Sequence, residues 1–309
     1  MVFQRRIAVG LLALGLGISQ TGCLKKVLLD GQIKGTREGS AAVNTLHDFE
    51  IAKTVAHAGL GQLEGMYKLA PYNTDAMFML TRGWAGVSFG FIEDDYEAAL
   101  VKGDTKGAAY HLLRARAGWQ RAKHYGKLLL AKRADGFDAV KGNAATLRKW
   151  LVDNFTSESE AEELLWIGYA WVGEVGVSKD VPEIVAELYV GAEIVQRSID
   201  LDPAAVNATG YTILGAYHAR TAMGELDESL KDFEKAIQTN GGKFLPTKLN
   251  LATRYYCAKS DKPNWEKTLH EVLAAPDDLP EARLQNTIAK RRARRYLDNK
   301  IFQEDCGFG

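Results

Sequence analysis

From Ala41 onward the apolar residues return every three or four positions, in segments separated by short breaks at Gly, Pro and Asn or Asp, and no stretch alternates as a half-buried strand would. The pattern predicts an all-α chain. Ahead of it, residues 24–40 carry Lys25, Lys26, Gly31, Gly35 and Gly39 with little apolar periodicity, which reads as a flexible tether. Earlier still, Arg5 and Arg6 precede an apolar run from Ile7 to Ile18 that is too short to span a bilayer comfortably, and Ser19-Gln20-Thr21-Gly22-Cys23 closes it with small residues. That order is the order of a secretory leader. The small pair before a cysteine resembles the site at which lipoprotein leaders are cut and the thiol acylated, with Gln20 departing from the usual aliphatic residue. An ordinary secreted protein, with Cys23 removed or left free, is the other reading. The chain is therefore divided into a leader at 1–22, a lipidated tether at 23–40 and a helical domain at 41–309.

The helical segments repeat. Gly59, Leu63, Met66 and Pro71 stand at offsets 0, 4, 7 and 12; Gly191, Val195, Ser198 and Pro203 reproduce them, and Ser229, Phe233, Ala236 and Gly241 form a third copy. This is the second-helix pattern of a tetratricopeptide repeat, in which small residues permit close helix contact, a larger one fills a groove and Pro or Gly ends the helix. Gly83 and Gly215 each follow such a proline by twelve residues. Glycine inside a helix costs about 1 kcal/mol against alanine, so close packing is the expected reason for both. The fold expected is an α-solenoid of antiparallel helix pairs.

Composition narrows the function. Lys plus Arg and Asp plus Glu both number 39, so no net field draws the chain to nucleic acid or to an anionic membrane. With Cys23 consumed by lipid, Cys257 and Cys306 are left in an oxidising compartment as an available disulfide pair, although sequence cannot say how near they lie. Gly59-Leu60-Gly61 with Gly65 lacks a preceding strand and the dinucleotide spacing, and is read as packing glycine. No HExxH, Walker or nucleophile-elbow sequence occurs, and the histidines are scattered singly. No metal, cofactor or catalytic residue is expected. Glu93-Asp94-Asp95 reads as a solvated loop, Lys290-Arg291-Arg292-Ala293-Arg294-Arg295 as a solvated basic face able to meet an acidic partner, and Trp166, Tyr169, Trp171 and Tyr189 as core.

Several runs resemble the T-component lipoproteins of TRAP transporters: Leu164 to Trp171, Ile199 to Pro203 with Leu214 to Tyr217, Trp265 to Pro276, and most specifically Leu279 to Ala293. The resemblance implies a periplasmic helical-repeat lipoprotein that partners a TRAP substrate-binding protein, with a homotrimer around an apolar channel among its assemblies. On this reading the chain is a non-catalytic binding and assembly component, exported across the inner membrane and lipid-anchored on the periplasmic side. Leu24 favours the outer membrane, since an Asp after the lipidated cysteine retains some lipoproteins at the inner one. Arg291 and Arg295 are the candidate partner contacts. The competing reading is an envelope-biogenesis or structural scaffold unrelated to transport.

Overall fold

Helices begin in this chain where a short polar side chain can take over amides that have no partner inside the helix. Asp48 accepts from the Ile51 amide, Asn73 from Ala76, Asp104 from Gly107, Asn143 from Ala145 and Thr146, and Asp261 from Asn264. The computed structural model describes residues 24–220 and 225–308, and the regular structure in them is entirely helical. Helix α1 covers residues 24–39. It is followed by α2 (Phe49–Leu69), α3 (Thr74–Val87), α4 (Glu93–Val101), α5 (Thr105–Arg133), α6 (Phe137–Val140), α7 (Ala144–Asn154) and α8 (Ala161–Gly176). The second half holds α9 (Pro182–Val185), α10 (Leu188–Leu201), α11 (Ala205–His218), α12 (Leu226–Asn240), α13 (Leu245–Asn250), α14 (Lys262–Ala274), α15 (Arg283–Asp298) and α16 (Lys300–Glu304). Neighbouring helices pack in pairs, α2 on α3, α3 on α5, α8 on α10, α11 on α12 and α14 on α15, as an α-solenoid requires.

Two of the three repeat copies pack as the spacing predicts. Ser198 donates its hydroxyl to the Ala161 carbonyl at 2.7 Å, while further along the same pair Gly191 faces Gly168, so α8 and α10 run in opposite directions. A β-carbon on Gly191 would stand 2.8 Å from Trp171 Cβ and 2.9 Å from the Gly168 carbonyl oxygen. Val195 fills the groove behind it and is fully buried. In the α11–α12 pair, Ser229 donates to the Gly215 carbonyl at 2.7 Å, Phe233 lies 3.0 Å from where a Gly215 β-carbon would be, and Phe233 and Ala236 are fully buried. Pro71 and Pro203 both sit in exposed turns just beyond a helix end.

The first copy departs from this. Nothing lies within 4 Å of a β-carbon on Gly59, Gly61 or Gly65, so none of them is a packing glycine. Gly59 instead faces an internal space, and α2 makes its close approach through Leu60 and Leu63, which meet Gly83 of α3. Met66 is buried in the main core.

Two further expectations are corrected. The leader and Cys23 lie outside the described residues, but residues 24–39, read as a flexible tether, are helical. Leu29, Ile33 and Arg37 fall four residues apart on one face. Ile33 is fully buried with Met77 and Phe78, and Arg37 stacks over the Phe78 ring and reaches Asp75 at 2.5 Å. A β-carbon on Gly31, Gly35 or Gly39 would meet nothing within 4 Å. The second correction concerns the basic run read as a solvated face: α15, which carries it, packs on α2 and on the 3-10 turn Ser40–Thr45. Leu284 and Ile288 share one core with Phe49, Leu60, Val87 and Phe91, and Gln285 donates to Asn44 at 2.9 Å. The solenoid closes on itself. Cys257 and Cys306 are joined as a disulfide, which ties the C-terminal tail back to the segment after α13.

The contrast between Gly191 and Gly59 is a direct check on the packing. Gly191→Ala is expected to lower stability by about 1 to 3 kcal/mol through overpacking, whereas Gly59→Ala, with open space before it, should raise stability by up to about 1 kcal/mol through helix propensity. Thermal melts of the two variants read both signs.

Candidate functional site

The solenoid surrounds a chamber of about 1510 Å³ that is partly open to solvent, lined from α1, α2, α3, α8, α11, α13 and α15 and by the disulfide segment. That exceeds the roughly 300–1,000 Å³ of ordinary small-molecule pockets. Two π-helical turns shape its wall. Ser88–Ile92 joins α3 to α4 and presents Phe89 and Phe91; Leu251–Tyr256 follows α13 and presents Thr253 and Arg254. Such turns insert an extra residue and re-aim the side chains beside it, which suits a functional wall. Opposite, α11 enters through Val206, Asn207 and Ala208 with φ of 47°, 58° and 58°, a left-handed turn that costs non-glycine residues conformational energy. Val206 and Asn207 also face the chamber.

An aromatic and polar cluster occupies the α8 side. Trp119 donates from Nε1 to Glu93 Oε1 at 2.7 Å, and its ring stands edge-on to Tyr169 with centroids 5.1 Å apart. Tyr169 in turn meets Trp166 at 5.9 Å and Phe89 at 6.2 Å. Of the four aromatic residues expected in the core, Trp171 is there, fully buried, while Trp166, Tyr169 and Tyr189 line the chamber. The Trp166 Nε1–H is buried without a hydrogen-bond partner. Burial pushes the Glu93 carboxyl up to about 7, against the opposing pull of the Arg292 guanidinium and of the Trp119 hydrogen bond. Burial likewise holds the Tyr169 phenol in its protonated form.

The acidic run and the basic run that seemed solvated are each other's partners. Asp94 accepts from Arg291 Nε at 2.9 Å and from Arg295 Nη2 at 2.5 Å; Glu97 accepts from Arg295 Nη1 at 2.5 Å and from the Tyr296 hydroxyl at 2.8 Å. Arg292, only 4% exposed, donates to the Phe89 carbonyl at 2.6 Å and lies over that ring at 4.2 Å. Glu93-Asp94-Asp95 thus opens α4 rather than forming a loop, because the π turn before it continues the helix and the arginines of α15 neutralise its charge. Asp95 pairs separately with Lys53 at 2.5 Å. Arg295, with a side chain 10% exposed, is taken up by α4, whereas Arg291 pairs with Asp94 and stacks over Phe49 at 4.3 Å yet keeps a side chain 42% exposed. The acidic partner is α4. What sequence missed was this pairing; the four acids of Glu93–Glu97 and the four arginines of Arg291–Arg295 were the available signal.

Helix pairs packed in succession around a chamber define a protein of the α-solenoid class. The chain belongs to the TRAP transporter T-component family (TAtT), whose family model matches residues 45–302 and so takes in every helix from α2 to α15. It is therefore an accessory component of a TRAP transporter system, placed with that system at the cell envelope. No curated protein matches the chain as a relative. Among the described residues, no helix is long and apolar enough to cross a membrane.

The raised Glu93 value carries a sign. The folded state holds its proton more tightly than an unfolded chain, in which a glutamate ordinarily titrates at 4.5, so the stability it contributes is complete below about pH 4.5 and is lost as pH rises through about 7. Glu93→Gln, which mimics the protonated form, should therefore melt above wild type at pH 8 and together with it at pH 4.5. A constant difference across that range would contradict the assignment.

Proposed function

We propose that this T-component is a non-catalytic, protein-binding lipoprotein that docks with a TRAP substrate-binding protein and offers its chamber to the solute that protein carries. The observation that carries the reading is the coincidence of the family match with a large internal chamber on the same residues. Two of the lining acids are engaged within the protein, Glu93 by Trp119 and Glu162 by Arg82, which favours holding over chemistry at those positions. The lipid anchor at Cys23, the periplasmic side, the slight preference for the outer membrane and the homotrimer belong to the same proposal. Of the candidate partner contacts, Arg291 keeps an exposed face for docking, while Arg295 is engaged by α4.

The test uses the full mature protein and the substrate-binding protein encoded beside it. Calorimetry should give a saturable 1:1 association, and Cys23→Ser should move the chain from the membrane to the soluble fraction with loss of acyl mass. Saturable binding that survives in the Cys23→Ser variant would place docking on the helical domain. Absence of binding would overturn the transport reading in favour of an envelope scaffold.

A further inference from the structure

Between Cys23 and the body of the molecule there is almost no slack. The segment expected to be a tether is α1, and α1 is fastened from Leu29 onward: Leu29 packs on the main core, Ile33 is fully buried in it, Asn73 donates to Asp30 at 2.9 Å and Arg37 reaches Asp75 at 2.5 Å. Residues 24–28 are all that separate Cys23 from the first packed position, and as helix they span only about 8 Å. A lipid on Cys23 therefore does not hang the helical domain on a long leash. It sets one face of the domain against the bilayer.

That face has the composition of a membrane interface. Leu24, Lys25, Lys26, Val27 and Leu28 are all exposed, and the three apolar side chains among them are each at least 60% exposed. At 3.6 residues per turn, Leu24, Val27 and Leu28 share one side of α1, opposite the side on which Leu29, Ile33 and Arg37 pack. Lys25 and Lys26 flank them, with stems that can lie along apolar surface while the ammonium groups reach outward. Lys26 also stands over the Tyr72 ring at 4.5 Å, which brings the turn between α2 and α3 alongside; Tyr72, Leu69 and Lys68 are exposed there. Asp30, the only acid in residues 24–37, is engaged by Asn73. An apolar turn edged with lysines matches a surface that is apolar beneath and anionic on top, and the neighbouring Cys23 says which such surface is near.

We infer that the first turn of α1, with Tyr72 and Leu69 beside it, is a lipid-docking surface: Leu24, Val27 and Leu28 enter the head-group region of an anionic bilayer while Lys25 and Lys26 meet its phosphates. This second contact fixes how the helical domain stands on the membrane. The inference rests on the lipid reading of Cys23 for its choice of partner, and the test is made without that lipid.

Cys23→Ser in the full mature chain removes the acylated thiol and, with Cys257 and Cys306 joined, leaves no free one. In that background Leu28→Cys carries an environment-sensitive nitrobenzoxadiazole probe, with the same probe on Lys149→Cys, an exposed position of α7, as the control. Vesicles of phosphatidylglycerol and phosphatidylethanolamine should brighten and blue-shift the probe at 28 and leave that at 149 unchanged. Co-sedimentation of the unlabelled Cys23→Ser chain with these vesicles should weaken at least about tenfold when Leu24, Val27 and Leu28 are all replaced by Gln, and should weaken with added salt. The triple variant should melt with its parent, since all three side chains are exposed. Equal co-sedimentation of the two chains, or none by either, would overturn the surface whether or not wild type carries acyl mass. Undiminished binding to phosphatidylcholine vesicles would overturn the part given to the lysines. Self-association without vesicles that the triple variant loses would assign the face to a second copy of the chain and overturn the lipid assignment. A wild type without acyl mass whose probe at 28 still responds would remove the Cys23 reading and leave the docking surface standing.

Discussion

Arg292 lies almost wholly out of water at the junction of the last long helix with α4, and the shape of the molecule depends on how that charge is met. Its guanidinium donates to the Phe89 carbonyl, and Glu93 and Glu97 stand 4.0 and 3.8 Å away. Arg291 and Arg295 add contacts to Asp94, which is itself 1% exposed. Burying such groups is costly, and an ion pair does not reliably repay the desolvation of both partners; removing one partner alone is far more damaging, because it strands the other. The cluster is therefore better understood as a device that fixes where α15 must sit than as a source of net stability. Leu284 and Ile288 would accept many apolar surfaces, whereas three arginines accept only the acids of α4.

From that constraint the chamber follows. A solenoid of helix pairs has two ends, and an exposed apolar end must be capped. Here α15 covers the first repeat instead, so the space in the middle of the superhelix becomes a chamber only partly open to solvent. The close crossing of α8 and α10 at Gly168 and Gly191, the π turns that aim Phe89 and Arg254 inward, and the disulfide between Cys257 and Cys306 hold its walls. The same π turn that supplies Phe89 leads into the acidic start of α4, so the wall and the closure are parts of one local arrangement.

Much of this was legible in the sequence where it depended on neighbours along the chain. The 3.6-residue periodicity, the capping residues and the offsets of Gly191, Val195 and Ser198 report local geometry, and they gave the helices and two of the repeats. Gly59 fits the same offsets yet meets nothing, because spacing describes a helix face without saying what stands opposite it. The tether looked flexible because its glycines dominate its composition; the face that packs, Leu29, Ile33 and Arg37, needs only one residue per turn. The arginines of α15 looked solvated because a basic helix and its acidic partner lie about two hundred positions apart, and nothing local records that they meet. The chamber was illegible for the same reason, since it exists only once the ends have met.

The central claim is that this cluster, rather than the apolar contacts alone, closes the ring. Hydrogen exchange measured across the chain in wild type and in Asp94→Asn tests it most directly. The account predicts faster exchange together in residues 93–101 and 283–298, with the α8–α10 pair at 161–201 unchanged. If α15 keeps wild-type protection when Asp94 has lost its charge, the acid–arginine cluster does not govern the closure, and apolar packing through Leu284 and Ile288 is sufficient to hold it.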